Sequence, residues 1–271
     1  MSQHPQVIVI ASGKGGTGKS TLSINLSMAL ADLGKRVAIL DANLELPSIA
    51  TLLNISPDYT ITDLIEGNSS LREVIYNGPK GINLILGSSL PKSMKHLSTA
   101  HHFGIVNALS TISKELDILV IDTAPGINKC TLNFIRASQE ILLVTCSEPT
   151  AIASTQALIH ILHSTYDLHN FRILINKALD THEGQKAFNT LQQLNKNNDV
   201  FLSYAGYVHE HKSSRMAASK GKALYDMFPK SDFAHDIKKI AKSIEKWPLR
   251  ETPTGHIEFF LESLIQKSQT V

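Results

Sequence analysis

Gly13-Lys14-Gly15-Gly16-Thr17-Gly18-Lys19-Ser20 sets two glycines with four residues between them and closes on Lys-Ser. The β-branched run Val7–Ile10 precedes it. After it, Leu22, Leu26, Ala29, Leu30 and Leu33 recur at helical spacing, and Gly34 with Lys35 and Arg36 stops the helix. A strand, a glycine loop and a helix in that order form a phosphate cradle. The glycines let backbone N–H groups turn inward, and the helix N-terminus adds its positive end. Lys19 is placed to neutralise β- and γ-phosphate charge, and Ser20 to offer a hydroxyl to Mg²⁺. Residues 13 to 20 together with Thr21 are therefore the candidate nucleotide contacts, with ATP or ADP and Mg²⁺ as the ligands.

Working outward, short apolar runs recur at Val37–Leu40, Ile82–Leu86, Ile118–Ile121, Ile141–Val144 and Ile173–Ile175. Helical spacing lies between them, at Phe103–Leu116, Thr131–Ser138, Ile152–Ser164, Gln185–Leu194 and Asp232–Lys246. Alternation of this kind predicts an α/β fold with a mainly parallel, doubly wound sheet flanked by helices, and the phosphate loop after its first strand makes that fold a P-loop NTPase. One domain, residues 1–247, is expected, followed by a linker and C-terminal amphipathic segment at 248–271. Ligands of such sheets sit beyond the carboxyl ends of the strands, where Asp41 and Asp122 end two of the runs. Both are candidate metal contacts with Ser20. The plainer reading of Asp122 is a cap for the helix that follows.

Composition narrows the class. The chain has 271 residues, 42% apolar and 18% charged, which excludes a disordered or fibrous protein. Its 26 Lys and Arg against 24 Asp and Glu leave a net charge of +2, too little to argue nucleic-acid binding from charge alone. Cys130 and Cys146 fit neither a metal knuckle nor a disulfide framework, and the N-terminus has no basic segment leading into an apolar one. A reduced cytoplasmic setting is expected. No apolar run approaches the length of a membrane span.

The extra lysine, Lys14, makes Lys-Gly-Gly-Thr-Gly-Lys-Ser-Thr resemble the deviant Walker A motif of the MinD/ParA ATPases. In that family the position of Lys14 reaches across an ATP-bound dimer to the partner's phosphates. The alternative is a solvated loop lysine. The resemblance runs from Gln6 to about Pro229 and is best to the FlhG/FleN type, MinD-like regulators of flagellar number and placement. Ser147-Glu148-Pro149-Thr150 resembles that type's Pro-Glu-Pro-Thr segment, Asn176 its adenine-contacting Asn, and residues 255–265 its C-terminus. The resemblance implies an ATP-dependent homodimer that alternates between the membrane and the cytoplasm. It also implies binding to the flagellar transcriptional activator and to the flagellar signal-recognition-type GTPase.

Two departures bear on mechanism. The family usually has Asp-x-Asp-x-Gly-Leu after its second strand, whereas this chain reads Asp41-Ala42-Asn43-Leu44-Glu45-Leu46. The family assigns to the second acid the positioning or activation of the attacking water, and an amide orients water without taking its proton. Slow hydrolysis is expected, with Lys14, Lys19, Asp41 and Asn43 as the catalytic candidates and Glu45 as a substitute acid. Only six residues precede Val7, where the FlhG/FleN type usually carries a GTPase-stimulating helix. GTPase activation is therefore not expected.

At the end of the chain Ile257, Phe260, Leu261, Leu264 and Ile265 share one helical face, opposite Glu258, Glu262 and Gln266. Residues 256–267 fit either peripheral membrane contact or docking on the chain's own core. Lys212, Arg215, Lys220 and Lys222 form a basic stretch; a solvated helix explains them better than direct DNA binding. His160 and His163 are the one closely spaced histidine pair on an expected helix, without a metal-ligand motif. The rival functions are a ParA-like DNA- or cargo-partitioning ATPase and a pseudo-ATPase scaffold. Iron–sulfur carriage is disfavoured because that branch uses a Cys-x-x-Cys absent here.

Overall fold

The computed structural model describes residues 4–44, 46–88, 98–249 and 259–260. The first half of the chain runs β1 (Gln6–Ala11), α1 (Lys19–Asp32), β2 (Val37–Ala42), α2 (Ile49–Leu53), α3 (Ile61–Glu66), α4 (Leu71–Val74), β3 (Ile75–Asn77) and β4 (Asn83–Ile85). The middle continues with α5 (Thr99–Ser110), β5 (Ile118–Thr123), α6 (Lys129–Ala137), β6 (Glu140–Thr145), α7 (Pro149–Tyr166) and β7 (Asn170–Ala178). The chain then forms α8 (Thr181–Leu194), β8 (Phe201–His209), α9 (Ser214–Ser219), α10 (Leu224–Met227) and α11 (Asp232–Ile244).

Among the described residues, eight strands join one sheet in the order β3-β4-β2-β5-β1-β6-β7-β8. Every pairing is parallel except β3 with β4. β1, β2 and β5 are buried at each position, as strands covered on both faces must be. Alternation then divides the core. Val7, Val9 and Ala11 face a layer of α3, α5, α6, α7 and α8, while Ile8 and Ile10 face α1, α2, α9, α10 and α11. The doubly wound sheet expected from the sequence is the one observed.

The differences have local causes. The helix expected from Phe103 to Leu116 starts at Thr99 and stops at Ser110, where Ser110 and Thr111 bond back to the carbonyls three residues earlier and a 3₁₀ turn follows. β8 carries no continuous apolar run: Phe201-Leu-Ser-Tyr-Ala-Gly-Tyr-Val-His is an edge strand, only partly covered. Short α2, α3, α4, α9 and α10 span too few turns to show a period. Among the described residues no helix is long and apolar enough to cross a membrane.

Most of the C-terminal segment lies outside the described residues, including Ile257, Leu261, Leu264 and Ile265. Phe259 and Phe260 are described, and both are buried in the layer under α5 and α6. Phe259 N–H donates to the Ala137 carbonyl at 3.2 Å, and its ring stacks on Phe134 with centroids 6.3 Å apart. Each ring removed from water contributes on the order of 2 kcal/mol. Phe260 has φ of 59°, outside the right-handed helix, so the single helical face drawn through it does not describe this pair.

Candidate nucleotide-binding site

The carboxyl ends of β1, β2, β5, β6 and β7 converge on the loop between β1 and α1. An open cavity of about 450 Å³ lies there, lined by Gly16, Gly18, Lys19, Ser20 and Thr21 on one side and Asn43, Ser48, Thr51 and Pro125 on another. The loop closes against its surroundings so tightly that two glycines are sterically required. A Cβ on Gly13 would lie 2.0 Å from the Ser154 carbonyl of α7. One on Gly18, already at φ +88°, would lie 2.3 Å from the Asn176 amide nitrogen. Gly16 is also left-handed, and Gly15 passes the Pro125 ring. Thr17 is buried, and its hydroxyl finds no partner among the described residues. The first turn of α1 has no side-chain cap and no acid, so its N–H groups face the cavity with their positive end uncompensated.

Lys19 is buried, and its Nζ donates to Ser12 Oγ at 3.0 Å. Burial pulls its pKa down, while nearby Asp122 pulls the other way. That ammonium lies in the lining of the cavity, where it would offset phosphate charge. Asp41 and Asp122 stand in register on neighbouring strands, both fully buried. Asp122 accepts from Ser20 Oγ at 2.5 Å and Ser23 Oγ at 3.0 Å. Ser48, which the sequence reading missed, donates to Ser20 Oγ at 2.8 Å and so joins the start of α2 to the loop. Asp41 accepts from the N–H groups of Asn43, Ser48 and Ile49 at 3.1–3.2 Å, holding α2 by its N-terminus. Burial first, and the Asp122 charge second, push Asp41 up to about 7; burial also raises Asp122, against the hydroxyls and Lys19.

Two crowded, buried carboxylates beside a serine hydroxyl form a hard-oxygen donor set that fits Mg²⁺. Ser20 would be the direct ligand. Asp122 and Asp41, whose oxygens are already engaged, would hold its waters. Bound there, the cation would offset phosphate charge.

The Asn43 side chain, at the edge of the same cavity, bonds within its own loop. Its Nδ2 donates to the Leu46 carbonyl at 2.6 Å, and its Oδ1 accepts from the Leu46 N–H at 3.4 Å. The amide staples its own loop, a role a carboxylate cannot copy because it would meet the carbonyl without a proton. Glu45 lies outside the described residues.

Lys14 reaches the loop after β6. Its Nζ donates to Glu148 Oε2 at 2.9 Å and to Thr150 Oγ1 at 2.8 Å. The lysine and the Ser-Glu-Pro-Thr segment, quoted separately in the sequence, are thus one contact, and Lys14 holds the Glu148 carboxyl below its ordinary range. From β7, Asn176 Nδ2 donates to the Thr17 carbonyl at 2.7 Å and Lys177 Nζ to the Gly16 carbonyl at 2.8 Å. Lys177 was not among the expected site residues. The remaining candidates stand apart: Lys212, Arg215, Lys220 and Lys222 are exposed around α9, and among the described residues no three His, Cys, Asp or Glu gather to hold a metal.

Comparison with known proteins places the fold and the family of the chain. A family model described as ParA, NUBPL iron-transfer P-loop NTPase, matches residues 3–245. The antiactivator FleN of Pseudomonas aeruginosa is 44% identical over 99% of this chain and 97% of its own length. The flagellum site-determining protein YlxH of Helicobacter pylori is 29% identical over 96% of this chain and 87% of its own. In fold, the septum site-determining protein MinD from Pyrococcus horikoshii, complexed with Mg-ADP, superposes with a TM-score of 0.71 at 21% identity, covering 89% of this chain and 96% of that one.

Proposed function

The chain belongs to the MinD/ParA family of P-loop NTPases, in its FlhG/FleN branch, and from that premise we propose that it is an ATP-dependent switch controlling flagellar number, placement and gene expression. Mg-ATP occupies residues 13–21, with Lys19 and the N-terminus of α1 on the phosphates and Ser20, Asp41 and Asp122 toward the cation. Two copies close face to face over the nucleotide, and Lys14 leaves Glu148 for the partner's phosphates. The partners are the flagellar transcriptional activator and the flagellar signal-recognition-type GTPase. The observation that carries this reading is the joining of Lys14, Lys19, Ser20 and both acids at one end of the sheet, in a chain so close to FleN along its whole length. Carriage of iron has no support in the two cysteines, which are sixteen positions apart.

The C-terminal segment joins this cycle as a stored membrane contact. Burial of Phe259 and Phe260 supports docking of residues 256–267 on the body in the monomer; in the ATP dimer they are released to the membrane surface.

Asn43 favours a second reading, a protein that holds ATP far longer than it takes to bind it. Its amide is committed to Leu46 and takes no proton from water. Steady-state turnover of the purified chain beside Asn43→Asp, with dimerisation followed by light scattering in the same samples, tests both readings. The wild type should form a persistent ATP dimer with slow turnover, and the variant should turn over at least about tenfold faster. Equal rates in the two proteins would remove Asn43 from the account. Absence of an ATP-dependent dimer in either would sink the switch.

A further inference from the structure

Consecutive residues of a strand point to opposite faces. Asn176 and Lys177 do not: both side chains reach the phosphate loop, on the carbonyls of the consecutive residues Thr17 and Gly16. The backbone is bent to allow it. Lys177 has φ of +58°, and the register of β7 on β8 shifts between Ile175 and Ala178. A non-glycine residue held there costs on the order of 1 kcal/mol, and such bulges re-aim side chains. Lysine is not the residue a left-handed bend selects for its backbone; glycine or asparagine is. Its ammonium is what the position retains.

The two contacts orient the loop. In a trans peptide the carbonyl and the following N–H point in opposite directions, and the described residues contain no cis peptide. Holding the Gly16 carbonyl toward β7 turns the Thr17 N–H away from it, and holding the Thr17 carbonyl does the same for the Gly18 N–H. Away from β7 lies the cavity that Gly16, Gly18 and Lys19 line. We propose that Lys177 is a positioning residue for the polyphosphate: paired with Asn176, it fixes two phosphate-loop peptides so that their N–H groups already face the phosphate oxygens before the nucleotide arrives. The inference rests on the nucleotide reading of the loop and adds to it a residue outside the loop itself.

The test uses the full chain with Mg²⁺, titrated with a fluorescent ATP analogue and, in competition, with inorganic tripolyphosphate. Lys177→Gly removes the ammonium and relieves the backbone; Lys177→Arg keeps a donor; Lys19→Ala serves as control. Lys177→Gly should unfold at a urea midpoint equal to or above that of the wild type, yet bind both ligands about fivefold more weakly, since one charge-assisted bond orders the loop. Lys177→Arg should recover most of that loss. Wild-type affinity in Lys177→Gly would overturn the proposal, as would a weaker affinity accompanied by a fall in urea midpoint, which makes Lys177 a structural brace. Failure of the nucleotide reading looks different: the wild type would not bind ATP, or Lys19→Ala would bind as well as the wild type.

Discussion

His102 puts a titratable ring where α5 packs on α6. It is 3% exposed, its centroid lies 4.7 Å from that of Phe134, and its Nε2 has no partner among the described residues. Burial drags its pKa down to about 4. The unfolded chain, with an ordinary histidine, binds the proton between pH 6.5 and 4 while the folded chain does not, so stability falls as pH drops through that window. At pH 5 the loss is up to about 2 kcal/mol. Urea titrations at pH 7.5 and pH 5 should show a smaller difference in His102→Leu than in the wild type; an unchanged difference would assign the acid sensitivity to other groups. At the same scale, the gathering of Lys19, Ser20, Asp41 and Asp122 at one end of the sheet was legible, because each stands in the glycine loop or at a strand end where the sequence itself marks the position. Side-chain chemistry was not legible where backbone geometry assigns the role. Nothing in Asn-Lys announces that both side chains leave β7 on the same side, and nothing in Asp-Ala-Asn tells that Asn43 spends its amide on Leu46.

Elements were readable in proportion to their burial. β1, β2, β5 and β6 are almost wholly buried, so their sequences are continuous apolar runs. β8 lies at the sheet edge, with Ser203, Tyr204 and Gly206 diluting the pattern and a register shift in the middle, and no run marks it. The helices followed the same logic. α11 alternates Phe233, Ile237, Ile240 and Ile244 against exposed lysines and was expected at nearly its observed limits. The contact between the phosphate loop and α7 belongs to this scale, because a strand–loop junction and a helix from far along the chain meet backbone to backbone at Gly13. Gly13→Ala forces a Cβ against the Ser154 carbonyl, which has no flexible side chain to yield. The substitution should cost about 3 kcal/mol in urea unfolding and weaken ATP binding; a variant as stable as the wild type would mean that α7 moves freely against the loop.

For the whole molecule, the sheet order sets what can communicate. β1 is flanked by β5 and β6, so the loop after it meets the acid at the end of β5, the Glu148 segment after β6 and, one strand further, Asn176 and Lys177. The last described residues join this body on its α5–α6 side, whereas α11 packs on the other face. Phe134→Leu keeps an apolar residue under α6 but removes the ring on which Phe259 stacks. It should cost about 1–2 kcal/mol and raise binding of the nucleotide-free chain to vesicles of anionic phospholipid in a sedimentation assay. Unaltered sedimentation would separate the buried phenylalanines from membrane contact.

The position of Phe259 also sets how strongly the body competes for its own C-terminus. Leu249 and Phe259 are ten residue steps apart, a contour of at most about 35 Å. The rings and their docking site belong to one chain, so their contact is intramolecular and independent of the concentration of protein in solution. Dilution therefore does not free them. A surface competing for these rings must displace an intramolecular contact on every copy, at any dilution.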